Sequence, residues 1–302
     1  MTSDYAIETR KLTRDHGRKR ALDALDLTLP RGGIHAIVGA NGAGKSTLFR
    51  QLLGFQLPTS GECYVLGRRT DRLSPADRGR IGFVNEEHTL PGWARVDTVL
   101  KVQRSHYADR WDAAAFDSVI ASFDLSDSQR IGQLSRGERS GLNLALALGQ
   151  SPELLILDEP TLGLDVVARR RLLDALIAAT GDERRTILYC SHQIDEVERL
   201  ADTLLILERG RVASFSAPDE FCERLRHWVA DVPFAAPPAG GIPGVLRHSR
   251  IDGIHHFTVI DRGDDFGADL RGFGAKSVQA MPVPLDRAVD AFLTRNHAGP
   301  AH

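Results

Sequence analysis

Apolar residues along this chain fall into two rhythms. Short runs with few polar interruptions occur at Ile34-His35-Ala36-Ile37-Val38, Leu154-Leu155-Ile156-Leu157, Thr186-Ile187-Leu188-Tyr189-Cys190 and Leu204-Leu205-Ile206-Leu207. Runs of that length and density predict strands buried on both faces of a parallel sheet. Between them the spacing turns helical: Leu48 to Leu53, Val96 to Gln103, Phe116 to Phe123, Leu142 to Leu148, Val166 to Ala179 and Ile194 to Leu200. Tyr5 to Thr9 and the alternating segment Ala21 to Leu29 predict two half-buried strands, with the basic stretch Arg14 to Arg20 as the hairpin loop between them. Glu62 to Val65 and Ile81 to Val84 add two short strands. The result is an α/β core over residues 1–216, interrupted at about 96–150 by a helical subdomain.

Beyond residue 217 the rhythm changes. Phe221 to Val229 predicts a helix, and Pro233 to Gly244 is rich in Pro, Ala and Gly, as a linker would be. His255 to Ile260 and Lys276 to Met281 predict strands, Ala268 to Gly272 and Leu285 to Leu293 helices. Residues 217–302 therefore form a linker and a small α+β domain.

Composition narrows the field. A formal net charge of −2 gives no electrostatic reason to expect nucleic acid or anionic lipid as a main partner. Cys63, Cys190 and Cys222 are odd in number and lack ligand spacing, which favours buried thiols in a reducing compartment. His255-His256 lacks further spaced ligands, so it predicts no metal site. The polar first residues do not read as a secretory signal, and no apolar run approaches the roughly 20 residues that span a bilayer.

Candidate chemistry begins where the first buried strand ends. Gly39-Ala40-Asn41-Gly42-Ala43-Gly44-Lys45-Ser46-Thr47 lies between strand and helix and has the form G-x-x-x-x-G-K-[ST]. Its glycines let backbone N–H groups converge on phosphate oxygens, and the helix adds its positive N-terminal end. Lys45 is placed to reach the β- and γ-phosphates, and Ser46 to hold Mg²⁺. Leu157-Asp158-Glu159 closes the next buried strand, at the sheet edge where ligands bind in open α/β folds. Asp158 suits the metal and its waters; Glu159 suits a base on the attacking water. Leu134-Ser135-Arg136-Gly137-Glu138 opens a long apolar helix. It reads either as a plain capping box or as a phosphate-binding helix start.

On these residues the chain resembles the ATP-binding subunits of ABC transporters, over roughly residues 5–212. Leu134–Glu138 is similar to the family's L-S-G-G-Q signature, Leu162-Gly163-Leu164-Asp165 to its D-loop, and His192 to its switch histidine. The resemblance implies a P-loop core of ABC ATPase type that uses ATP and Mg²⁺ and works as a head-to-tail dimer. Each site would join Gly39–Thr47, Asp158, Glu159 and His192 of one subunit to Ser135 and Gly137 of a second ATP-binding subunit, identical or not. Asp165 would lie near the subunit boundary, and hydrolysis would move a transmembrane permease from the cytoplasmic face of the membrane.

Three positions depart from the family pattern. Where an aromatic usually stacks on adenine the chain has His16, which either takes that role or is a surface histidine. The signature ends in Glu138 rather than Gln. Glu86 replaces the Q-loop glutamine and either joins the metal or serves as a near-isostere facing solvent or the partner. Leu90-Pro91-Gly92-Trp93, Tyr107 to Asp112 and Met281 to Leu285 are similar to the bacterial exporter branch, including its drug-resistance members. The competing classes are an ABC-type ATPase of DNA repair or the ribosome and a nucleotide-sensing regulator. The first usually carries a coiled coil, a zinc insertion or a tandem ATPase unit; Glu159 argues against the second.

Overall fold

A computed structural model describes residues 4–180, 185–233 and 242–295. The chain divides into two compact units, Met1–Phe215 and Ser216–His302. The first is built on two sheets. Strands β1 (Tyr5–His16), β2 (Lys19–Pro30), β4 (Ser60–Val65) and β5 (Arg68–Arg69) form an antiparallel sheet in the order β2-β1-β4-β5. Strands β3 (Ile34–Val38), β6 (Ile81–Val84), β7 (Leu154–Asp158), β8 (Thr186–Cys190), β9 (Thr203–Glu208) and β10 (Arg211–Ser216) form the second, in the order β10-β9-β3-β8-β7-β6. β3, β6, β7, β8 and β9 pair in parallel.

Strand β7 shows why an unbroken apolar run was needed. Leu154 and Ile156 enter a core shared with the antiparallel sheet and with Leu48, Phe49 and Leu52 of helix α1 (Lys45–Leu52). Leu155 and Leu157 enter a second core on the other face. There they meet α4 (Ala113–Ser122), α5 (Arg136–Gly149) and α6 (Val166–Ala179) through Phe116, Leu142, Leu146, Leu172 and Leu176. A polar residue at any of these strand positions would be buried without water on either side. Helices α2 (Pro75–Gly79), α3 (Val96–His106) and α7 (Ile194–Leu200) complete the unit.

Arg14 to Arg20 is not the loop its charge predicted. Both strands run through it, leaving a turn at Gly17-Arg18, with Gly17 at φ 60°. Asp15 sits opposite Arg20 in the ladder and accepts from its guanidinium at 3.0 Å. Here the side chains are solvated, so no apolar alternation marks the strand.

The second unit is a four-stranded antiparallel sheet, order β12-β13-β11-β14, from β11 (Leu225–Asp231), β12 (Val245–Ile251), β13 (Ile254–Ile260) and β14 (Ser277–Pro282). Helices α8 (Pro218–Glu223), α9 (Asp264–Gly272) and α10 (Leu285–Thr294) accompany it. The helix expected over Phe221 to Val229 stops at Glu223, and Leu225 begins a strand paired on both sides. Phe221 and Leu225 stand four apart, which mimics a helical face, but Trp228 and Ala230 are buried two apart against Phe257 and Phe266. Strand β12 escaped notice because Arg247, His248 and Arg250 mask its alternation. Most of the predicted linker lies outside the described residues. Cys63 and Cys190 are buried as expected, whereas Cys222 is partly exposed.

Candidate nucleotide site

The carboxyl ends of β3, β7 and β8 converge on a cleft of about 270 Å³. It is lined by His16, Asn41, Gly42, Gly44, Lys45, Ser46, Thr47, Glu86, Asp158, Glu159 and His192, together with Lys19 and Ala21. The loop after β3 wraps tightly enough that Gly44, at φ 113°, could carry no side chain: a Cβ there would lie 2.5 Å from the Ala21 carbonyl oxygen. Gly44 is also the N-cap of α1, which has no side-chain cap and no acid in its first turn. The first N–H groups of α1 therefore face the cleft uncapped, with the helix's positive end behind them. Lys45 is 8% exposed, and its Nζ donates to the Gly39 carbonyl at 2.6 Å and more weakly to Ala40 at 3.4 Å. Gly39 and Ala43 belong to the wall of the loop rather than to the cleft surface.

Glu159 is held from two strands at once. Its N–H donates to the Cys190 carbonyl at 3.1 Å, which draws the residue to φ 51° in the left-handed region. Such a conformation costs about 1–3 kcal/mol in a non-glycine residue and persists only where its surroundings enforce it. Its carboxylate accepts the His192 backbone N–H at 3.2 Å, and the His192 Nε2 lies 3.3 Å from its other oxygen. Burial raises Glu159 above the usual carboxylate range, opposed by the His192 N–H and the Cys190 thiol. Burial likewise raises Asp158, and the charges of Glu159 and Glu86 push the same way. His192 is lowered by burial and by Lys45, which favours the neutral ring.

Behind His192 stands a residue that motif reading passed over. Glu196 is 1% exposed, and one of its oxygens accepts from Thr161 Oγ1 at 2.9 Å, Tyr189 OH at 2.5 Å and Ser191 Oγ at 2.7 Å. The other lies 3.5 Å from Arg169 Nε. One carboxylate thus ties the segment after Glu159, the end of β8 and helix α6 together. The signal for it was an acid on the Val197/Leu200 side of an amphipathic helix, where only a paired charge is tolerated.

The signature residues stand elsewhere. Ser135 is exposed and caps α5: its Oγ accepts the Glu138 N–H at 3.2 Å while Glu138 accepts the Ser135 N–H at 2.7 Å. The glutamate at this position therefore closes a capping box. Arg136 packs on the D-loop, where a Cβ at Gly163 would come within 2.8 Å of its guanidinium. Gly137 faces Ala168 at the start of α6. Asp165 caps α6 by accepting from Val167 and Ala168 at 2.8 and 2.9 Å. None of Ser135, Arg136, Gly137, Glu138 or Asp165 lines the cleft.

Magnesium prefers hard oxygen donors. Ser46, Asp158 and Glu86 supply one hydroxyl and two carboxylates to the cleft, and the carboxylates already repel one another, so the donor set fits this ion. Among the described residues no group of three or more His, Cys, Asp or Glu could hold a metal. A Mg²⁺ that keeps most of its oxygens from phosphate and water requires no such cage.

The chain is similar to known proteins. Residues 22–162 match the family model described as ABC transporter. The daunorubicin resistance ATP-binding protein DrrA3 of Streptomyces coeruleorubidus is 36% identical over 222 residues, covering 72% of this chain and 70% of that one. The aliphatic sulfonates import ATP-binding protein SsuB 1 of Nocardia farcinica is 35% identical over 219 residues, 70% and 82% of the two chains. A solved ATP-binding subunit of an ABC transporter superimposes with a TM-score of 0.65 at 25% identity, over 72% of this chain and 92% of that one. The chain belongs to the ABC transporter family, as an ATP-binding subunit. No helix among the described residues is long and apolar enough to cross a membrane.

Proposed function

We propose that the chain hydrolyses MgATP within an ATP-driven dimer and thereby powers a separate transmembrane permease, in the direction of export. The observation that carries this reading is a division of labour: Lys45, Ser46, Asp158, Glu159 and His192 share one cleft while Ser135 and Gly137 lie outside its lining. A second ATP-binding subunit, turned head to tail, would bring its own Ser135 and Gly137 to the nucleotide. Leu162, Val166 and Val167 beside the D-loop are 43%, 78% and 61% exposed, an apolar strip suited to burial in that dimer.

In this reading the N–H groups of Gly42 to Thr47 hold the phosphate chain. Asn41 and Ala43 shape that loop, and Lys45 exchanges its carbonyl partners for β- and γ-phosphate oxygens. Ser46 and Asp158, with Glu86, would hold Mg²⁺, which would supply positive charge to neutralise the phosphates. Glu159 accepts a proton from the attacking water, and the neutral His192 donates to the γ-phosphate. His16, exposed at the cleft rim, lies against the base.

Trp93, 78% exposed in the segment after Glu86, fits the surface that meets the permease. The exporter-like segments and the 36% identical drug-resistance relative support export, and a 35% identical relative is named for import. Purifying the membrane complex with this chain as bait tests the assignment. It should recover a multi-span protein, and the complex in inside-out vesicles should accumulate substrate when given MgATP. Recovery of ribosomes or DNA-repair proteins instead would overturn the proposal.

Two smaller predictions arise here. Ser135→Arg should reduce hydrolysis to background by blocking the partner's site, while the loss of its cap costs about 1 kcal/mol. The melting midpoint should therefore fall by only about 2–4 °C, as expected for a unit of this size. Near-normal turnover in that variant would count against the dimer. For Glu86→Gln, removing a charge whose interaction with a cation is worth about 1 kcal/mol in water should shift half-saturating Mg²⁺ about fivefold. Superimposable Mg²⁺ titrations would mean that Glu86 acts only as an isostere of glutamine.

A further inference from the structure

The second unit holds a cavity of about 530 Å³, roughly twice that of the nucleotide cleft. Small-molecule sites commonly span roughly 300–1,000 Å³. It arises because the two faces of the C-terminal sheet are covered differently. One face presents Trp228, Phe257 and Val259 to Phe266 and Leu270 of α9, a closed apolar core. The pairing of His227 with Thr258 and Met281, and of Thr258 with Arg247, places the opposite set on the other face. Over that face α10 spends its apolar side mainly on Leu285, Ala288, Val289 and Phe292, the last edge-on to Phe221 of α8. Its remaining side turns Arg287, Asp290 and Ala291 into the cavity.

The walls have two characters. Ile251, Met281, Pro282, Val283 and Pro284 are apolar. Facing them are Arg247, Arg287, His227 and His256, with Asp290 as the single acid in the lining. Asp290 is already engaged by Arg247 at 3.1 Å. Arg287 is exposed at the cavity and, among the described residues, makes no ion pair and no hydrogen bond, so its guanidinium is available to a ligand. Beside it His227 Nε2 lies 3.2 Å from His256 Nδ1 and its Nδ1 lies 3.5 Å from Thr258 Oγ1, so this ring and hydroxyl form a fixed polar floor.

We propose that this cavity is a binding site for a small organic anion, with its charged group on Arg287 and on His256, whose ring is oriented by His227, and its apolar body against Ile251 and Met281–Pro284. Nothing in this assignment depends on the nucleotide reading. It gives the C-terminal unit a ligand of its own.

The test uses the full chain and the fluorescent anion 8-anilinonaphthalene-1-sulfonate, with the uncharged N-phenyl-1-naphthylamine as control. Titrations are run with excess MgATP so that the nucleotide cleft is occupied. Wild type should bind the anion at one saturable site, at least tenfold more tightly than the uncharged probe. Arg287→Gln should weaken the anion about tenfold and leave the uncharged probe unchanged, because one charge-assisted contact is removed from an exposed residue. Ser249→Trp, which fills the cavity from its exposed edge, should abolish both. Absence of saturable binding by wild type, equal affinity for the two probes, or affinities in both variants within twofold of wild type would each overturn the proposal.

Discussion

Replacing Glu159 by Gln should lower ATP hydrolysis by about 10²–10⁴-fold, the range associated with loss of a positioned general base. MgATP binding should persist, since Lys45 and Asp158 are untouched. The substitution keeps the side chain's shape, so the His192 N–H at 3.2 Å still finds a carbonyl oxygen and φ 51° at residue 159 remains enforced by Cys190. What disappears is an acceptor for the proton of water. Turnover then stalls after closure, and light scattering should show a dimer that accumulates with MgATP. Lys45→Ala provides the contrast: it should lose nucleotide affinity and form no such dimer. A phosphate-release rate for Glu159→Gln within a few-fold of wild type would refute the assignment of the base.

The second large effect is expected at Glu196, far from any motif. Glu196→Ala leaves the Thr161, Tyr189 and Ser191 hydroxyls without their acceptor in a buried site and removes the ion-pair partner of Arg169. Removing one member of a buried charged network typically costs about 3–5 kcal/mol. At about 2–4 °C per kcal/mol for a unit of this size, the melting midpoint should fall by roughly 10 °C. Because Ser191 precedes His192 and Thr161 follows Glu159, kcat should fall as well at temperatures where the protein remains folded, with nucleotide affinity changed little. Differential scanning calorimetry and steady-state ATPase assays check the two halves separately. A midpoint within about 2 °C of wild type would show that the network carries no such weight.

Much of this protein was legible before any coordinates. The phosphate loop, Asp158-Glu159 and the buried strands are local features: glycines fix a turn, and an unbroken apolar run can be satisfied only inside a sheet. Val166–Ala179, Thr186–Cys190 and Ile194–Leu200 fall where periodicity put them, because in each the side chains that repeat are the ones that pack. Where side chains stay in water, as over Arg14 to Arg20, the pattern carries no information about the backbone. At Leu225 to Asp231 the pattern misled, since pairing with β13 and β14 outweighed a helical spacing.

Neighbours along the chain set the local features: a glycine-rich loop after the first buried strand, a strand that ends in acids, a helix that starts with Ser135. Which of these residues meet was set by the tertiary fold. It brought His16, Glu86 and His192 from three separate segments to the Lys45 cleft, and left Ser135 and Gly137 outside its lining. It also gave Glu196 three hydroxyl donors and left Arg287 without an ion pair among the described residues. These are consequences of burial and of cross-strand register, quantities set by contacts between distant segments, and no local pattern of residues encodes them.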